Sequence, residues 1–268
     1  MQTDTALRVV RQVLAADFAC APDDFTREGT VVLPWEDRPG RRRFPLHADR
    51  PRLGLATMGI GAVVSCSADR LDWAREQLSQ LGRDDLFSLP VLTRIAALVR
   101  PAGQYLSGPN LLHVGSSETL RPTSVPAGIT IELVEQDRLP SLYAHEGFRN
   151  ALHYRFRAER PDVLAAVAID AGRVVGIAGA SADCDKLWQI GLDVRPEYRG
   201  RGIGKAVTAR LAAAILARGK IPYYAAVPAN LASRNVAVGV GFRPCWIEVA
   251  AYDESRLYPS RQSSNTPR

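Results

Sequence analysis

The chain has 268 residues and 46% hydrophobic content, enough apolar side chain for a real core in one large or two modest domains. Its net charge is +6, carried almost wholly by arginine, since the lysines are Lys186, Lys205 and Lys220. No apolar run nears the roughly 18 residues needed to span a bilayer, and Cys20, Cys66, Cys184 and Cys245 are scattered without a Cys-x-x-Cys pair, which argues against zinc and a disulfide framework. No metal site is expected. Met1 to Gln12 mixes acid and base where a signal peptide needs an apolar stretch, so a cytoplasmic protein is expected. The densest basic run, Arg38 to Arg43, lacks interleaved aromatics and any base-reading motif. An exposed loop is expected there, with no nucleic-acid or membrane partner; a homodimer stays open.

In the first half, Leu7, Val10, Val13, Leu14 and Phe18 share a helical face within Thr5 to Phe18. Short strands are expected at Thr30–Leu33, Leu53–Thr57 and Ala62–Ser65. Gly59-Ile60-Gly61 precedes a strand rather than a helix and reads as a turn. Asp69 to Leu81 reads as a helix capped at Ser67 or Asp69 and stopped by Gly82. Pro90 to Val99 is a further helix with proline in its first turn. Glu118 to Gly128, rich in Pro, Ser and Thr, reads as a linker or long surface loop. The expected organisation is an α+β domain over 1–120, a second domain over 128–252 and a tail over 253–268.

The second half alternates strand and helix: strand Ile129–Glu135, helix Leu139–His153, hairpin Val163–Asp170 with Arg173–Ser181, and strand Leu187–Val194. Helix Gly202–Ala217, strand Ile221–Val227, helix Ser233–Val240 and strand Arg243–Tyr252 follow. The most informative stretch joins strand Leu187–Val194 to its helix through Arg199-Gly200-Arg201-Gly202-Ile203-Gly204. Such a turn offers several backbone N–H groups to an anion at a helix N-terminus, where the helix dipole favours negative charge. Arg199 and Arg201 can add charge-assisted contacts. The P-loop pattern fails because Ala206 follows Gly204-Lys205 where a hydroxyl is required, and the dinucleotide pattern fails because Val207 stands where the third glycine belongs.

What fits is Arg/Gln-x-x-Gly-x-Gly/Ala, at Arg199, Gly202 and Gly204. In this the segment resembles the GNAT superfamily of acetyl-CoA-dependent N-acetyltransferases. A second element, Asn230 and Ser233 followed by a short helix and Gly241-Phe242, is similar to the same family, and the resemblance extends over roughly Ile129 to Tyr252. It implies an α/β (α+β) fold with a mixed, mainly antiparallel sheet flanked by helices. It implies acetyl-CoA as co-substrate, its pyrophosphate held at Arg199, Gly200, Arg201, Gly202, Ile203, Gly204 and Lys205. By the same resemblance the thioester meets backbone donors at Leu192 to Val194, Asn230 bonds the pantetheine arm or an ordered water, and Ser233 belongs to the same cofactor-binding set. The first half is similar to that of uncharacterised bacterial GNAT proteins in its Asp23-Asp24-Phe25, Gly40-to-Phe44 and Leu86-Phe87-Ser88 segments, and would serve as an acceptor-side lid or a degenerate second GNAT-like half.

The acid–base residues depart from the common GNAT pattern. Ala237 stands where many members have a tyrosine acid, and Trp188, next to Gln189, where some have a glutamate base. Asp193, Glu146 and Tyr224 are the catalytic candidates, with Asp183, Asp185, His145 and Tyr223 also in reach. The expected activity is transfer of an acetyl group to a primary amine of a small molecule. The alternatives are a catalytically silent acyl-CoA-binding sensor and a protein N-acetyltransferase.

Overall fold

The computed structural model describes residues 1–43, 52–152 and 160–254. In chain order its elements are α1 (Thr3–Asp17), β1 (Thr30–Pro34), β2 (Leu53–Thr57), β3 (Ala62–Cys66), α2 (Ala68–Leu78), α3 (Arg83–Leu86), α4 (Leu89–Val99) and β4 (Gln104–Val114). There follow β5 (Ile129–Glu135), a 3-10 helix at Gln136–Ala144, β6 (Asp162–Asp170), β7 (Arg173–Ala182), β8 (Leu187–Val194), α5 (Ile203–Ala217), β9 (Ile221–Ala226), α6 (Leu231–Val240) and β10 (Arg243–Asp253). Mixed α/β architecture is therefore as expected.

The chain folds into two compact units, both built from several chain segments. The first comprises Met1–Asp17, Arg38–Pro45 and Leu111–Trp246; the second comprises Phe18–Asp37, Leu46–Asn110 and Ile247–Arg268. Composition marks a linker at Glu118 to Gly128, whereas spatial contact divides the chain at other places, within β4 and β10. Phe44, His153 and the tail from 255 onward lie outside the described residues.

In the first unit β5, β6, β7 and β8 pair antiparallel in sequence, β8 pairs parallel with β9, and β9 pairs antiparallel with Leu111–Val114 of β4. Side chains alternate across the sheet, as the period of a strand requires. Leu164, Ala166 and Ala168 face α5, whose Ile203, Val207, Leu211 and Ile215 close a buried core with Val175, Ala178 and Ala180. Ala165, Val167 and Ile177 face the other way, onto Leu139, Leu142, Phe148 and Leu152. The β6–β7 turn places Ala171 and Gly172 both at positive φ, the geometry of a two-residue hairpin that matches strand twist. The second unit pairs β1 with β3 parallel, β3 with β2 antiparallel, and β2 antiparallel with Ile247–Ala250 of β10. Its core packs Leu53, Leu55, Val64 and Val249 against Leu78, Val91, Ile95 and Val99 of the helices.

Two expectations need correction. The helix expected over Leu139–His153 is a 3-10 helix at Gln136–Ala144 followed by turns. Pro140 lies inside it and Gly147 sits at φ +91°, which no α-helix tolerates. Strand β4 was not expected at all; Gly108-Pro109 at its middle reads as a turn in sequence, although residues on both sides are extended.

Candidate active site

Strands β8 and β9 part company early. They pair from Leu187 with Ile221 to Ile190 with Tyr224, and no further. Arg195 N–H donates to Val175 O at 2.9 Å. The alternation of an antiparallel pair then turns the N–H groups of Leu192 and Val194 away from β7, towards the side where β9 has departed. The parted strands therefore present main-chain donors without a protein acceptor among the described residues along one edge of a slot.

At the end of β8, Pro196–Tyr198 makes a single 3-10 turn. Gly200 and Gly202 then take φ +77° and +87°, in the left-handed region that favours glycine, and Gly202 is the N-cap of α5. The first helical bond runs from Ala206 N–H to Gly202 O at 3.1 Å. The N–H groups of Gly200 through Lys205 thus have no protein acceptor among the described residues. Arg199 is tied by its Nε to Val194 O at 3.1 Å, and Arg201 stacks over Tyr198 at 5.1 Å. Lys205 lies along α6, against the bare face of Gly239. Arg199, Gly200 and Gly202 to Lys205 line a hollow of about 560 Å³ with Leu192, Val194, Asn230 and Ser233.

A second cavity of about 340 Å³ runs through the slot itself. Tyr224, Asn230 and Ser233 line it on the α6 side, Gly191 and Leu192 at the edge, and Gln189, Ser181 and Asp162 on the opposite face. Asn230 caps α6, its side-chain oxygen accepting from Ser233 N–H at 3.1 Å. The Tyr224 and Ser233 hydroxyls bond at 2.8 Å. Burial pushes the Tyr224 phenol above its ordinary value, so it stays protonated as an acid must.

The other candidates separate. Asp193 borders the larger hollow, but its carboxylate accepts from Asn150 N–H at 2.7 Å, Asn150 Nδ2 at 2.7 Å and Ala151 N–H at 3.0 Å. It anchors the 150–151 loop. Glu146 and His145 line a different hollow, formed by residues 142–149 and 152, apart from the slot. Asp185 is exposed in an ion pair with Arg43 at 3.2 Å. Asp183 is fully buried and saturated: both oxygens receive the Arg160 guanidinium, and Ser181 and Tyr223 donate to it as well. Ala237 is fully buried and Trp188 packs against the α5 core. Sequence reasoning missed Arg160, Asp162, Ser181 and the 150–151 loop, because no spacing marks them; only β-sheet register brings Ser181 opposite Gln189.

The Acetyltransferase (GNAT) family profile matches residues 130–242, the stretch that contains the slot and the glycine turn. Residues 130–242 are a GNAT acetyltransferase domain. No curated protein matches the chain. Among solved structures, a GCN5-related N-acetyltransferase-like protein from Streptococcus suis 89/1591 is 20% identical over 60% of this chain and 67% of its own, with TM-score 0.45. A GCN5-related N-acetyltransferase from Kribbella flavida is 18% identical over 60% of this chain and 63% of its own, with TM-score 0.46. The matches thus span about two thirds of those chains' own lengths. The glycine turn and the parted strands fall inside the matched segment, as do Gln189, Ser181 and Asp162 of the slot's lining.

Proposed function

We propose that the protein is an acetyl-CoA-dependent N-acetyltransferase acting on the primary amine of a small molecule. The observation that carries this reading is the set of unsatisfied N–H groups from Gly200 through Lys205 opening onto the slot between β8 and β9. A pyrophosphate fits those donors and the positive end of α5. Bound there, the co-substrate supplies an activated acetyl thioester in the slot. The N–H groups of Leu192 and Val194 donate to the carbonyl oxygen as negative charge develops on it. The neutral amine attacks from the Gln189 face; as the C–N bond forms the C–S bond breaks, Tyr224, paired with Ser233, gives its proton to the departing thiolate, and the proton shed by the nitrogen returns to Tyr224 through solvent. Asp193, Glu146 and Tyr224 were the catalytic candidates; the geometry favours Tyr224.

Calorimetry with acetyl-CoA tests the binding half. A Cβ at Gly204 would stand 3.3 Å from Leu192, so Gly204→Asp puts bulk and negative charge into the cradle. Affinity should fall more than tenfold, about 1.4 kcal/mol; unchanged affinity in a folded variant rules the cradle out. Ala237, an inert methyl where the family commonly has tyrosine, favours a second reading, a silent acyl-CoA-binding protein. Acetyl-CoA binding without thiol release across a broad amine panel would support that reading instead.

A further inference from the structure

Gln189 stands on the acceptor face of the slot, opposite the side that Tyr224 and Ser233 line. Its amide is oriented by chemistry. Arg160 Nη2 meets its side-chain oxygen, and a guanidinium can only donate, so the atom facing Arg160 is the carbonyl oxygen. Arg160 is itself locked by both oxygens of the buried Asp183. Tyr223 closes the other side, its hydroxyl 3.2 Å from the same amide oxygen while its proton goes to Asp183. The amide NH₂ is left over. It has no partner among the described residues, and the side chain borders the cavity.

From this we infer that Gln189 determines acceptor specificity, presenting its NH₂ to a hydrogen-bond-accepting oxygen carried close to the acceptor's amine. The substrate class is a small amine with a neighbouring carbonyl or hydroxyl oxygen, as in an α-amino amide or an amino alcohol. This rests on the acetyltransferase reading above. Gln189 and Gly191 point to one face of β8 about 7 Å apart, and the thioester donors begin at Leu192. An acceptor whose amine reaches the thioester therefore meets Gln189 within a few bonds. A cavity of about 340 Å³ leaves room for a molecule of that size. A site built around a fixed donor discriminates against an analogue that lacks the oxygen, because the donor is then left unpaired.

The test compares glycinamide with propylamine as acceptors, in the wild type and in Gln189→Leu and Gln189→Glu. Both variants leave the Arg160–Asp183 pair in place, and Gln189→Glu keeps an oxygen towards Arg160. Turnover is followed by thiol release. Binding of each amine to the coenzyme A-saturated protein is followed by calorimetry, and acetyl-CoA affinity is measured alongside. We expect kcat/KM for glycinamide relative to propylamine to fall at least tenfold in both variants, mostly through KM, with acetyl-CoA affinity retained. Amine basicity is the same in wild type and variant and cancels in the change of that ratio, and the uncharged Gln189→Leu separates loss of the NH₂ from the added charge of Gln189→Glu. An unchanged ratio, in turnover or in binding, overturns the role of Gln189 while leaving the acetyltransferase reading intact. A wild type that does not bind acetyl-CoA overturns both.

Discussion

Asp193 makes three hydrogen bonds to the 150–151 loop, and a base so engaged has little freedom to take a proton. Asp193→Asn keeps the shape but turns an NH₂ towards one of those donors. One bond is lost, about 1 kcal/mol, for a melting-temperature drop of roughly 2–4 °C. Acceptor KM should rise with the loosened loop, and the acidic limb of the pH–rate profile should stay where it was. Disappearance of that limb in Asp193→Asn would restore Asp193 as the base. Tyr224→Phe removes the phenol hydroxyl that bonds Ser233 at the slot, and kcat should fall tenfold or more; an unchanged kcat would hand the proton transfer to Ser233 or water. Cradle and slot edge were legible from residue order alone, because glycine turns and strand ends are local features. Tyr224 was one name among seven; the packing of α6 brings Ser233 to its hydroxyl, and both line the slot with Gln189. Asp183 and Glu146 were as plausible in sequence as Asp193, since nothing local distinguishes a saturated carboxylate from a poised one.

At the level of elements, the informative positions are where backbone meets sheet. Gly179 and Gly191 pair across β7 and β8, and a Cβ on them would run into the carbonyls of Ala151 and Asn150. The 150–151 loop thus lies directly on the sheet, as a continuous helix over 139–153 could not. Sequence periodicity suggested that helix because Leu139, Leu142 and Phe148 are buried on one side. The same spacing serves a 3-10 turn and a loop that follow one sheet face. Gly191→Ala should lift the loop, costing about 1–3 kcal/mol of stability and most acceptor turnover. Acetyl-CoA affinity should fall less than turnover, since the donors at Gly200–Lys205 follow the end of β8 and only Asn150 of the two loop residues lines their hollow. Calorimetry and thiol release on one preparation separate the two. Equal loss of both would mean that the loop also shapes the cofactor side. Most other elements were read to within a residue or two, β6 through β10 especially, because hydrophobic alternation and glycine stops are strong there; α2 ends three residues before the expected Leu81, and α3 was not expected. Strand β4 escaped for the converse reason: Gly108-Pro109 interrupts its pattern without interrupting the strand.

On the scale of the whole molecule, composition suggested a linker at Glu118 to Gly128, a stretch that lies within the first unit, and could not foresee that this unit draws on Met1–Asp17 and Arg38–Pro45, because membership depends on contacts distant in sequence. Each unit has its own core, and each buries groups that must stay protonated. In the second unit burial pushes the Cys66 thiol from 9.0 up to about 11. In the first, burial pushes Cys245 from 9.0 up to about 12, and the Tyr223 phenol well above 10. Unfolded, those thiols ionise near 9, so above that pH the unfolded chain has released protons that the folded chain still holds. The stability tied to these groups is therefore fully present below pH 9 and drains as pH rises towards 11 and 12. For Cys66, wholly buried, the loss is on the order of 2–3 kcal/mol by pH 11. Denaturant unfolding at pH 8, 9.5 and 11, with reductant and constant salt, should show stability nearly level up to 9 and falling beyond. Trp35 and Trp73 belong to the second unit, Trp188 and Trp246 to the first, so single-tryptophan variants can follow each separately. Cys66→Ala should lower stability below pH 9 but make the alkaline fall of the second unit shallower, leaving that of the first unchanged. An equally steep fall in the second unit without Cys66 would mean that another group carries its alkaline sensitivity.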